Sequence, residues 1–149
     1  MPATTTMDSP VSGQDRSTTA PVPRLLRVLI IDDNQETTDS LSRLVRDWGH
    51  EVRWAYDAQI GMEVAAAYHP DLVLLDIAMP QMDGCELAQE LRGDARLKDC
   101  FMIAVTGRGD DAHRQRCKEA GINLVLVKPV DPLILESLLT LESEYVAQH

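Results

Sequence analysis

Residues 72–76 read LVLLD, four consecutive large aliphatic side chains that stop at a carboxylate, Asp76. A strand with one wet face alternates apolar and polar residues. A run that is apolar at every position needs cover on both faces, as in a parallel sheet held between helices. The same device recurs outward along the chain: VLII at 28–31 runs into Asp32-Asp33, MIAV at 102–105 into Thr106, and LVLV at 124–127 into Lys128. A short second strand is expected at 51–54, giving five strands in all.

Amphipathic stretches separate these runs. Residues 34–48 place Leu41, Leu44, Val45 and Trp48 at helical spacing, and Gly49 is a stop signal. Asp57 is placed to cap a second helix that runs through 64–67 and ends before Pro70. A turn at Met79-Pro80-Gln81-Met82 precedes a third helix over 83–92; a polar helix over 110–120 is closed by Gly121; a last helix runs from Asp131 to about Val146. Five strands alternating with five helices predict an α/β protein with a parallel sheet between two helical layers. Trp48 and Trp54 are expected in packing roles, and His50, His69, His113 and His149, away from the strand ends, as surface or packing residues.

Composition narrows the function classes. The chain has 149 residues, 44% hydrophobic and 26% charged, enough for a single core. A net charge of −10 argues against nucleic-acid binding, which needs a basic patch, and favours a cation in any acidic cleft. Cys85, Cys100 and Cys117 are odd in number and lack metal-ligand spacing, so they read as reduced, partly buried thiols. No apolar run approaches the roughly 18 residues of a membrane span, and the N-terminus lacks a signal-peptide layout; the expected location is the cytoplasm, with no membrane partner. Residues 1–24, rich in Thr, Ser and Pro, read as a disordered tail, and 25–147 as the folded domain.

In an open parallel sheet, ligands bind outside the carboxyl ends of the strands, where strand order reverses. That edge would gather Asp32, Asp33, Asp76, Thr106 and Lys128. Three carboxylates so close repel one another, and a hard divalent cation with oxygen ligands relieves the repulsion. Mg2+ suits one or two carboxylates, several waters and a phosphate, which points to phosphoryl transfer with a carboxylate nucleophile. Thr106 and Lys128 supply donors for phosphoryl oxygens. Residues 32–36 contain no glycine, so a phosphate cradle of the dinucleotide or P-loop kind is excluded.

The order Asp32-Asp33, then Asp76 within LDIAMPQMDG, then Thr106-Gly107, then Lys128-Pro129 resembles the receiver domain of two-component response regulators, from about Leu25 to Val146. The resemblance implies a flavodoxin-like (βα)5 three-layer sandwich with strand order 2-1-3-4-5. It implies Asp76 as phosphoacceptor, forming an aspartyl phosphate from a phosphohistidine on a sensor histidine kinase or histidine phosphotransfer protein. Asp33 then becomes the direct Mg2+ ligand, Asp32 a ligand largely through water, and the backbone carbonyl of Ala78 completes the set with Asp76. Thr106 matches the switch hydroxyl and Lys128 the lysine that pairs with the phosphoryl group; the Lys128–Pro129 bond is cis in the family. One position departs: the family often has an aromatic residue where this chain has Val125, and a valine cannot report phosphorylation by swinging a ring.

The expected function is a signalling switch, with only self-catalysed phosphoryl transfer and dephosphorylation, that changes partner binding or relays phosphate. A stand-alone receiver is expected, with a piece of a hybrid histidine kinase as the second version because the KPVDP segment at 128–132 resembles such receivers. Two alternatives are a Mg2+-dependent aspartate-nucleophile phosphatase and a degenerate docking-only receiver. The phosphatase places its nucleophile at the end of the first strand, two residues before a general acid, a spacing the adjacent Asp32-Asp33 does not give. On the last helix, Ile134, Leu138, Leu141 and Tyr145 form a stripe beside Leu135, Leu139 and Val146, wider than one sheet face requires, which marks a candidate surface for a homodimer or a partner.

Overall fold

The computed structural model describes residues 25–149, so the tail expected over 1–24 lies outside the described residues. The elements alternate as expected: β1 (Arg27–Ile31), α1 (Gln35–Asp47), β2 (Glu51–Ala55), α2 (Ala58–Tyr68), β3 (Leu72–Asp76), α3 (Gly84–Arg92), a 3-10 turn (Ala95–Leu97), β4 (Phe101–Thr106), α4 (Asp111–Glu119), β5 (Leu124–Val127) and α5 (Pro132–Gln148). All pairings are parallel and the sheet order is β2-β1-β3-β4-β5. This is the flavodoxin-like (βα)5 fold. The order reverses between β1 and β3, and that reversal opens a crevice at the carboxyl edge.

The apolar strands are double-sided. Val28, Ile30, Leu72, Leu74, Ile103 and Val105 pack with Leu41 and Val45 of α1 and Leu135 and Leu139 of α5. The alternate positions, Leu29, Ile31, Val73, Leu75, Met102 and Ala104, pack with residues of α2, α3 and α4. Fully burying a Leu or Ile is worth about 1.5–3 kcal/mol, so these two layers carry most of the stability. The edges are thinner: β5 is only partly buried, and Trp54 on the outer strand β2 is 40% exposed, so its ring is not a core residue.

Carboxylate and amide caps start the helices where the sequence puts them. Asn34, Asp57, Asp83, Asp110 and Asp131 each accept a backbone N–H from the first turn of the helix that follows, with a full capping box between Asp83 and Glu86. Gly49 ends the α1 connection at φ +94°. On α5 the buried stripe is Leu135, Leu139 and Ser143, while Leu133, Ile134, Leu141 and Tyr145 are exposed, which matches the wide apolar arc read from its sequence. Among the described residues, no helix is long and apolar enough to cross a membrane.

Candidate functional site

The ends of β1 and β3 meet at the crevice. Asp32 and Asp76 are buried, 2% and 5% exposed, whereas Asp33 faces solvent. One oxygen from each of Asp32, Asp33 and Asp76 lies within 4.8 Å of the others. Lys128, one residue past β5, reaches in with Nζ 3.6 Å from Asp32 Oδ2 and 3.5 Å from Asp76 Oδ1. The bond it makes to Pro129 is cis.

Each carboxylate is fixed by local backbone. Asp32 Oδ1 accepts the Asn34 N–H at 2.9 Å, and its carbonyl accepts the Thr38 hydroxyl at 3.2 Å, which ties the acid to the start of α1. Asp76 Oδ1 accepts the N–H of Ala78 at 3.2 Å, placing Ala78 at the exposed rim beside it. Gly84, the first residue of α3, packs against this backbone: a Cβ there would stand 2.5 Å from the Asp76 carbonyl oxygen and 2.8 Å from Ile77 Cα. Gly84 is therefore a packing requirement of the site, just after the Asp83 cap that starts the helix.

The electrostatics follow from burial and crowding. Burial first, then the Asp32 charge, lifts the Asp76 carboxyl from 3.8 to about 6; Lys128 and the Ala78 N–H pull it down, and Asp33 adds a smaller upward push. Three carboxylates face one ammonium, so negative charge is left over. The donor set is all oxygen and partly solvated, which fits a hard divalent cation that keeps several waters. Asp32, Asp33 and Asp76 could supply its carboxylate ligands.

Thr106 ends β4. It is 4% exposed, and its Oγ1 accepts the Arg108 N–H at 3.1 Å and pairs with His113 Nε2 at 3.1 Å. The sequence leads one to expect Thr106 at the acid edge and His113 as a surface or packing residue. His113 is a packing residue, 4% exposed, and is bonded as well to the one hydroxyl of the expected set. Its signal was present: in polar α4 the two buried side chains, His113 and Cys117, stand four residues apart on one face.

Fold and acid cluster define a class before any comparison: a doubly wound α/β protein with a carboxylate site at the switch point of its sheet. The model of the response regulator receiver domain matches residues 28–140, and the chain belongs to that family. Among its relatives, the DNA-binding dual master transcriptional regulator RpaA of Synechocystis is 33% identical over 105 residues, 70% of this chain and 44% of that protein. The response regulator MprA of Mycobacterium tuberculosis is 32% identical over 104 residues, 70% of this chain and 44% of that protein. The chain thus spans less than half the length of these two relatives, the part that carries the receiver domain. The chemotaxis response regulator CheY4 of Vibrio cholerae superposes with a TM-score of 0.75 at 27% identity, covering 79% of this chain and 98% of that one. The chain is a receiver domain of the two-component kind, a signalling domain whose family works in general with histidine kinases.

Proposed function

We propose that Asp76 accepts a phosphoryl group from a phosphohistidine on a histidine kinase or phosphotransfer protein, and that the modified domain then changes partner binding or passes the group on. The observation that carries this reading is the convergence of Asp32, Asp33 and Asp76 within 4.8 Å, with the Lys128 ammonium against two of them. An ionised Asp76 oxygen attacks phosphorus. The O–P bond forms as the P–N bond of the donor breaks, and the electron pair leaves on the imidazole nitrogen. Asp32, Asp33, Asp76 and the Ala78 carbonyl would hold Mg2+, which when bound neutralises the acids and the incoming phosphoryl oxygens. Lys128 holds a phosphoryl oxygen by its charge, and Thr106 donates its hydroxyl to another after rotating toward the site.

An open cleft of about 610 Å3 adjoins the site between α1 and the β5–α5 connection, lined by Thr37, Leu41, Leu44, Lys128 and Pro129. It offers a mostly apolar bed beside the acids where a donor helix would bring its phosphohistidine to Asp76. The folded unit of this reading is 25–147, acting in the cytoplasm. Intact mass measured after treatment with acetyl phosphate and Mg2+ tests the reading. One added phosphoryl group, absent in Asp76→Asn and absent in EDTA, is the expected result. Repeated turnover of phosphate esters without a bound phosphoryl group would replace it with the phosphatase reading.

A further inference from the structure

We infer that His113 is the positioning residue through which the state of Thr106 is transmitted to α4, taking over the work that an aromatic side chain at Val125 would do. The inference rests on Asp76 as phosphoacceptor and extends it to the route by which the switch reaches the surface.

The resting contact is a closed pair. Thr106 and His113 are each 4% exposed and their polar atoms are 3.1 Å apart. The Thr106 oxygen already accepts the Arg108 N–H. When the hydroxyl turns toward a phosphoryl oxygen, His113 Nε2 loses its hydroxyl partner. Its other neighbour, the Cys117 thiol, is 3.9 Å away and a poor hydrogen-bonding group. A buried polar atom left without a partner costs more than the bond itself was worth, so the histidine must move toward water or a new partner.

The ring is carried by the start of α4. His113 is tied into the first turn of α4, its own N–H donating to the Asp110 carboxylate at 3.3 Å. This helix is lightly anchored: His113 and Cys117 are its buried residues, against five in α3 and four in α1. Both anchors belong to one buried file, Thr106–His113–Cys117–Cys85, whose last link is the 3.9 Å contact between Cys117 and Cys85 of α3. Beside the exposed Arg116–Asp83 ion pair, releasing the first link therefore loosens one of the two buried side chains of α4, the kind of element that opens at low free-energy cost. Val125, partly buried against the same layer, has no ring to swing.

Hydrogen–deuterium exchange of the full chain, with and without acetyl phosphate and Mg2+, tests this in wild type, His113→Phe and His113→Gln. Intact mass is read on the same samples. In wild type, phosphorylation is expected to speed exchange across 111–119 by roughly fivefold to tenfold. His113→Phe should still take one phosphoryl group but show the same α4 exchange in both states, and His113→Gln, with a polar group at the end of its side chain, should regain part of the difference. If His113→Phe does not fold, His113→Leu is read in its place. A phosphorylated His113→Phe with the full wild-type change in α4, or a phosphorylated wild type with no change there, overturns the His113 route alone. A wild type that never gains the phosphoryl mass overturns it together with the acceptor reading.

Discussion

The ammonium of Lys128 stands 3.5 Å from Asp76 Oδ1, yet the Asp76 carboxyl is still lifted to about 6. Burial and the neighbouring acids outweigh the pairing, so without metal the ionised form is disfavoured in the folded state. The sign follows from the raised folded value. Asp76 contributes stability below 3.8, and that contribution is lost as pH rises through about 6. Asp76→Asn is therefore expected to exceed the parent by about 1–3 kcal/mol above pH ~7 in EDTA, and to show no such advantage near pH ~4. Urea midpoints at the two pH values check this; equal midpoints at both would remove the charge conflict on which the metal reading depends.

Gly84 fixes the distance between α3 and the backbone that carries Asp76. An added methyl would meet the Asp76 carbonyl oxygen at 2.5 Å and Ile77 Cα at 2.8 Å, both main-chain atoms that cannot rotate aside. Gly84→Ala is expected to destabilise the fold by about 2 kcal/mol or more through forced backbone displacement. Urea denaturation measures the stability loss. Phosphorylation by acetyl phosphate should fall further than Gly93→Ala makes it fall, since the nearest atoms a methyl would meet at Gly93 belong to its own helix end, with Glu90 O at 3.3 Å. Equal behaviour of the two variants would mean that the α3 start does not position Asp76.

What the sequence made legible follows one physical rule. Side chains at 72–75 alternate between two covered faces, so an unbroken apolar run was enough to place the strand and both helical layers. Asp76 ends a strand, and Asp32, Asp33 and Lys128 lie within two residues past one, so the topology alone delivers them to one edge. The Thr106 rotamer was not legible, because a hydroxyl at a strand end can face the acids or a helix, and its partner lies seven residues away on α4. The 40% exposure of Trp54 was not legible for a related reason: β2 is the edge and, among the described residues, pairs with β1 alone.

The cysteines are expected to be inert in the folded protein. All three are buried and unpaired, and burial pushes the Cys85 and Cys100 thiols up to about 12, so almost no thiolate exists at neutral pH. A thiol-disulfide reagent at pH ~7.5 should find no reactive group in native protein and all of them in urea. The slow native rate should track the opening equilibrium of the domain. Rapid labelling of Cys117 in the native state would show that α4 opens far more readily than its buried file implies.

Asp32 and Asp33 are neighbours with different burdens, and separating them tests the metal site most directly. Asp32 is buried, holds the Asn34 N–H and faces Lys128, so Asp32→Ala removes the partners of a buried network and should cost about 2–4 kcal/mol. Asp33 is exposed. Asp33→Ala relieves repulsion on Asp76 and should leave stability within about 0.5 kcal/mol of the parent or slightly above it. Its effect should fall on the cation instead: calorimetric titration with Mg2+ is expected to lose measurable binding, and acetyl phosphate should no longer add a phosphoryl group. A folded Asp33→Ala protein that binds Mg2+ as the parent does would remove Asp33 from the ligand set and leave Asp32 and Asp76 as its carboxylates.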